Sequence, residues 1–265
     1  MFNMNFANLS PLEARSLIRE DKMTRPTAGV ASGFVQANLV ILKKDLAFEF
    51  LLFCQRNPKP CPILDVTEIG SPIPKLVAPN ADIRTDIGKY CIYREGILVG
   101  EVSDIINYWE EDMVAFLIGC SYTFESALLK NGIPLRHHEL DSNVSVYKTN
   151  IACIPAGRFA GPTVVSMRPV PNKHLVRAVQ VTTNFPSTHG APIHIGSPEH
   201  IGIKDINKPD FGDILPIRED ETPVFWACGV TPQAVAMQMK PEIMITHSTG
   251  YMFITDVNEE QLTIL

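Results

Sequence analysis

Hydrophobic positions along the chain fall into short runs separated by turn residues, and helical and strand periods alternate. Ser10-Pro11-Leu12-Glu13 has the form of a capping box with proline at the first helical position, and predicts a helix to about Asp21. Leu46, Phe50, Phe53 and Cys54 recur at helical spacing over 45–56. The following Asn57-Pro58-Lys59-Pro60-Cys61-Pro62 ends that helix, because residues before proline avoid the helical region. Strands are expected at 63–67, 90–94 and 97–102, the last two forming a hairpin around Glu95-Gly96. The unbroken apolar run 114–118 reads as a strand buried on both faces. It meets Gly119-Cys120-Ser121 and then a helix over 123–130, closed by Asn131-Gly132. The same strand, turn and helix recur at 224–229, with Thr231 and Pro232 expected at the N-cap and first position of a helix to Met239. Between them lie predicted strands at 145–150 and 163–170, a helix at 172–184 and a strand at 192–196. Strands at 243–247 and 251–256 complete the pattern, and no repeat at a fixed period is visible. The two strand-to-helix turns put helix N-termini at strand ends, where α/β proteins bind ligands.

Composition narrows the class. The chain has 265 residues, 45% of them hydrophobic and 20% charged, which describes a globular protein of one large or two modest domains. Its 21 prolines argue against a helical bundle and for many short elements. A net charge of −6 disfavours a polyanionic partner, so no nucleic acid is expected. The six cysteines form no CxxC pair and no cysteine–histidine grouping, which indicates neither a disulfide scaffold nor a structural zinc site. No charged-then-apolar leader and no apolar run of membrane length is seen, giving the expectation of a cytoplasmic protein with no membrane partner. Whether it forms a homo-oligomer is open.

Several constellations could carry chemistry. Thr188-His189-Gly190-Ala191-Pro192-Ile193-His194 sets two imidazoles among small residues that admit a ligand, or else forms a turn with one structural histidine. The spacing of His189 and His194 suits neither one helix face nor one strand face, so no metal pair is expected. Gly119 to Glu125 offers Cys120, Ser121 and Glu125 at a helix entrance that favours an anion; a simple Thr123 cap with a dipole-favoured Glu125 explains the same residues. Cys228-Gly229-Val230-Thr231 has the same ambiguity. Lys148 and Asn150 alternate along a strand and need an anionic partner if they face inward; otherwise they mark a solvated edge. Arg168 and Arg25 each stand beside a proline-fixed turn, suited to bidentate carboxylate capture or to a surface ion pair. His137-His138 reads as polar surface. No GxxxxGK[ST], GxGxxG, GxSxG or HExxH motif is present.

Seven strings carry a resemblance. Arg25-Pro26-Thr27-Ala28-Gly29, FEFLLFCQRNPKPCP at 48–62, FLIGCSYTFE at 116–125, YKTNI at 147–151, GPTVVSMRP at 161–169, HGAPIHIG at 189–196 and FWACGVTPQ at 225–233 resemble a hydro-lyase family whose mitochondrial relatives include D-glutamate cyclase. The resemblance implies an α/β fold, a three-layer αβα domain with a smaller two-layer α+β domain. We place the smaller one at 139–220, inserted between 1–138 and 221–265. It also implies a carbon–oxygen lyase that removes water from a small amino or dicarboxylic acid, D-glutamate to 5-oxo-D-proline being the first expectation, with no cofactor and no metal. For that reaction Lys148, Arg168, Asn150 and Ser121 are assigned to the substrate acid. The N–H groups of Gly229, Val230 and Thr231 are assigned to the oxyanion, and His189 to general acid/base catalysis with Glu125 orienting it. Cys120, Cys228, His194 and Arg25 are further candidates. Two other readings stay open: a racemase using Cys120 and Cys228 as opposed bases, and a non-catalytic protein that binds a small acid.

Overall fold

A computed structural model describes residues 5–264; residues 1–4, part of the stretch read for a leader, lie outside the described residues. Helix α1 (Pro11–Arg19) starts on the expected capping box: the Ser10 N–H donates to Glu13 at 2.8 Å and the Glu13 N–H to Ser10 Oγ at 3.3 Å. Strand β1 (Phe34–Lys43) runs directly into helix α2 (Lys44–Arg56), whose buried stripe is the expected Leu46, Phe50, Phe53 and Cys54. Then come β2 (Ile63–Val66), the hairpin β3 (Tyr90–Arg94) and β4 (Ile97–Val102), and β5 (Met113–Gly119).

These strands build a seven-stranded sheet in the order β2-β5-β1-β10-β3-β4, with β10 (Met244–His247) inside it and β11 (Phe253–Asn258) also pairing with β1. All of its pairings are antiparallel, so the apolar run of β5 reflects two covered faces rather than a parallel sheet. One face packs Val40, Leu42, Phe116 and Met244 against α2 and α6 (Val230–Met239). The other packs Leu39, Ile41, Leu117 and Ile245 against the irregular segment 67–89, through Val77, Ala78, Ile83 and Ile87.

The second sheet has four antiparallel strands in the order β6-β7-β9-β8: β6 (Ser145–Ala152), β7 (Pro162–Pro171), β9 (Glu221–Ala227) and β8 (His194–Ile195). Strand β8 is shorter than the stretch expected there. Glu221–Ala227, placed with the large unit from sequence, pairs along β7 inside the small sheet, because its alternating Phe225 and Trp226 fill the cores on that sheet's two faces. Helix α3 (Tyr122–Lys130) and α5 (Leu175–Thr183) cover the Trp226 face, where the indole N–H donates to Thr182 Oγ1 at 3.1 Å. A one-turn helix α4 (Arg136–Glu139) follows α3. The fold is thus mixed α/β with a large and a small sheet. No helix among the described residues is long and apolar enough to cross a membrane.

Candidate active site

The two strand-to-helix turns are copies of one local structure, Cys-x-x-Thr. At the first, the Cys120 N–H donates to the Gln36 carbonyl of the neighbouring strand at 3.0 Å, and the Gln36 N–H donates back to Thr123 Oγ1 at 3.1 Å. At the second, the Cys228 N–H donates to the Val164 carbonyl at 3.0 Å and the Val164 N–H to Thr231 Oγ1 at 2.9 Å. Neither threonine is an N-cap; Ser121 and Gly229 hold those positions, and the hydroxyls instead tie each helix to the adjacent strand. The Thr231 N–H is spent on the Cys228 carbonyl and the Val230 N–H faces the Cys228 sulfur, so two of the three N–H groups assigned to an oxyanion are engaged. The Tyr122 N–H faces Cys120 Sγ in the same way, at 3.5 Å. Burial pushes both thiols up, so each is protonated at neutral pH.

Glycines set how closely these turns approach their neighbours. A Cβ on Gly119 would strike the Ser187 carbonyl, and one on Gly229 the Asn38 side chain. The backbone before His189 therefore rests directly on the end of β5. His189 itself is a non-glycine residue at φ 84°, strained in the left-handed region, and only 1% exposed. Its Nδ1–H donates to the Lys59 carbonyl at 2.9 Å, leaving Nε2 as the lone-pair nitrogen, buried and without a partner. Burial, reinforced by the charges of Arg168 and Lys59 and only partly offset by the Lys59 carbonyl, lowers its pKa to about 4. His189 borders a cleft of about 340 Å³ with Pro58, Lys59, Thr183, Pro186 and Ala191.

Glu125 does not orient His189. Its carboxylate accepts from Arg168 Nε at 3.0 Å and from Arg168 Nη2, and meets His137 Nε2 at 2.9 Å and His138 Nε2 at 2.8 Å. Burial works to raise its pKa, but the charges of His137 and Arg168 and the His138 hydrogen bond hold the carboxyl well below its usual range. Arg168 also donates to Ser121 Oγ at 3.0 Å and Ser166 Oγ at 3.1 Å, and lies over the Phe124 and Trp226 rings. With its donors committed inside the core, Arg168 is a scaffold cation and not free for a substrate carboxylate. The reading of His137-His138 as surface holds for His138, which is exposed, and is overturned for His137, which is 1% exposed because Glu125, on the buried face of α3, draws in cationic and donor partners.

The remaining candidates lie elsewhere. Lys148 and Asn150 are exposed, and the Lys148 ammonium sits over the Phe211 ring beside a separate cavity lined by Gly96, Met237 and Gln238. His194 bonds locally to the Ser197 carbonyl and packs on Phe225. Half-exposed Arg25 lies over Phe6 and borders a third cavity with Asp141, Asn143 and Asp213. The structure thus brings Cys120, Ser121, Glu125, Arg168 and Cys228 into one neighbourhood with the His189 loop against its edge. Lys59 and the His137–His138 pair were missed; the prolines on both sides of Lys59 and the carboxylate on the buried stripe of α3 were the available signals.

A mixed α/β protein with two antiparallel sheets, paired Cys-x-x-Thr turns and a histidine-bearing cleft is the class this geometry defines. Sequence comparison then places it: the D-glutamate cyclase family matches residues 114–256. A "Putative hydro-lyase" of Geobacillus kaustophilus is 66% identical over 259 residues, 98% of each chain. The "Putative hydro-lyase YcsI" of Bacillus subtilis is 65% identical, covering 97% of this chain and all of its own length. The chain belongs to this hydro-lyase, D-glutamate cyclase-like family. A solved nitrogen repressor-like protein of Methanococcus jannaschii aligns over 91% of this chain with a TM-score of 0.39 and 11% identity, too distant to carry an argument.

Proposed function

We propose that the chain is a lyase that closes D-glutamate to 5-oxo-D-proline and water, with the His189 cleft as its substrate site. The family supports the reaction class, and one observation supports the site: a buried, conformationally strained imidazole whose tautomer is fixed by Lys59, with a buried, unpartnered Nε2, in a residue that borders a cleft of amino-acid size. In the reaction the amino nitrogen bonds to the γ-carboxyl carbon, one carboxyl oxygen leaves, and the two protons lost by the ammonium leave with it as water. A neutral Nε2 that takes a proton from nitrogen and returns it to the departing oxygen serves both transfers. The Lys59 ammonium on the rim pairs with the α-carboxylate, and holding amine and carboxyl together supplies much of the gain in rate. The protonated state of Cys120 and Cys228 gives the racemase reading no support, since two-base exchange needs one thiolate.

Purified protein incubated with D- and L-glutamate, followed by mass spectrometry for loss of one water, tests the reaction. Turnover of D-glutamate is expected, and failure to convert it overturns the substrate. His189→Asn should lower turnover by roughly 10²–10⁴-fold with the fold intact. A variant at wild-type rate would move the chemistry out of this cleft.

A further inference from the structure

Glu125, His137 and His138 come from two helices, and their ligand atoms all lie within 4.8 Å of one another. We propose that they bind one divalent first-row transition ion, through one Glu125 oxygen and the two Nε2 atoms. Two imidazoles and a carboxylate form a donor set that zinc, cobalt and nickel accept readily. Ligand bonds of about 2.0–2.2 Å put neighbouring donors roughly 3–4 Å apart. His137 Nε2 lies 2.9 Å from one Glu125 oxygen and His138 Nε2 2.8 Å from the other, within a set spanning at most 4.8 Å, so side-chain shifts of about an ångström or less bring the donors to those separations.

Three further features point to a metal rather than to a closed ion-pair core. His137 is buried, yet both its ring nitrogens lack a hydrogen-bond partner; Nε2 sits close to Glu125 but off the line of a hydrogen bond. Leaving such atoms unpaired is costly, and a bond from Nε2 to an ion relieves part of that cost. The two rings stand nearly perpendicular with centroids 4.6 Å apart, so adjacent residues of α4 converge on one point instead of diverging. A cavity of about 50 Å³ adjoins Glu125 and His138 and is also lined by Gln36, Tyr122 and Glu259. That volume has room for a water as a fourth ligand. Arg168 grips the same carboxylate and fixes its orientation, as outer partners of metal ligands do. Its positive charge also weakens the ion's hold, which makes the site one of moderate affinity. Nothing in the sequence spacing announces the set, because Glu125 reaches the histidines only through the packing of α4 on α3.

The proposal does not depend on the reaction assigned to the His189 cleft, and its test reads metal uptake without substrate. Chelator-treated full-length protein is titrated with Co²⁺, and the visible absorption and bound metal are measured. The expected result is saturation at one ion per chain, with no thiolate-to-metal charge-transfer band and a rise in melting temperature with Zn²⁺. His138→Ala, on the exposed side of the cluster, and Glu125→Gln should each weaken uptake by more than about tenfold. A cooperative melt shows that each variant is folded; if Glu125→Gln is not, His138→Ala alone decides. Absence of saturable uptake, a thiolate band placing the ion at the cysteines, or wild-type affinity in folded His138→Ala overturns the site.

Discussion

The most demanding residue in the protein is Glu125, a carboxylate on the buried face of α3 held by Arg168 and two imidazoles. Removing one member of a buried charge pair costs far more than the pair contributes, because the remaining charge is stranded. Arg168→Met should therefore destabilise the protein by about 3–5 kcal/mol, while Arg168→Met combined with Glu125→Met should recover much of that loss. Denaturant unfolding of the two single variants and the double variant measures the coupling; additive effects would contradict it. Sequence reasoning singled out both residues but gave them separate tasks, one on substrate and one on His189. The missing step was to ask what a carboxylate placed between Phe124 and Leu128 on a buried stripe must touch. That question leads to Arg168 and makes a polar surface an unfavourable setting for His137.

At the scale of elements, the paired Cys-x-x-Thr turns fasten each sheet to the helix that follows it. Thr231 Oγ1 accepts the Val164 N–H and donates to the Val164 carbonyl, both buried. Thr231→Val keeps the shape but strands that N–H, at an expected cost of about 1–3 kcal/mol. Thr123→Val should cost a similar amount through the Gln36 N–H. Urea midpoints of the two variants check this, and a neutral effect at either position would show that water replaces the hydroxyl. Both turns were legible in the sequence, since CSYT and CGVT follow apolar strands and begin helices. The capping box of α1, the stripe of α2 and the β3–β4 hairpin were legible for equally local reasons. Strand β1 was not. Polar Gln36 and Asn38 interrupt its first half, and it passes into α2 at Lys43 with no glycine, proline or side-chain cap to mark the change. Yet β1 pairs with β5, β10 and β11 and organises the large sheet, so the reading kept most elements and lost their arrangement. The path of β9 into the small sheet has the same origin: pairing partners distant in sequence leave no local trace.

Across the whole molecule, three buried histidines, His137, His189 and His247, have lowered pKa values that tie stability to pH. His189 packs against the end of β5, while His247 lies in the large sheet, its Nδ1 accepting the Leu39 N–H at 3.1 Å with the Gln233 amide nitrogen 2.9 Å away. Burial lowers each of these two pKa values from 6.5 to about 4, at His189 against the Lys59 carbonyl that favours the charged ring. In the unfolded chain both rings take up a proton as pH falls through about 6.5; in the folded protein they refuse it until about 4. Their contribution is therefore full above pH 6.5 and is lost as pH drops from 6.5 towards 4, by about 1.4 kcal/mol per pH unit for each ring. Together that is several kcal/mol, a large part of the 5–15 kcal/mol by which domains are ordinarily stable. Below pH 4 the ionised Glu125 moves the same way, since a carboxyl held below its usual range loses its contribution as it is protonated. Unfolding free energies measured in urea at steps between pH 7 and 4 should fall with a slope of about two protons per molecule from His189 and His247, to which His137 adds. His247→Asn retains an oxygen to accept the Leu39 N–H but cannot titrate, so it should reduce that slope by about one proton. An unchanged slope in His247→Asn would place the acid sensitivity in other groups.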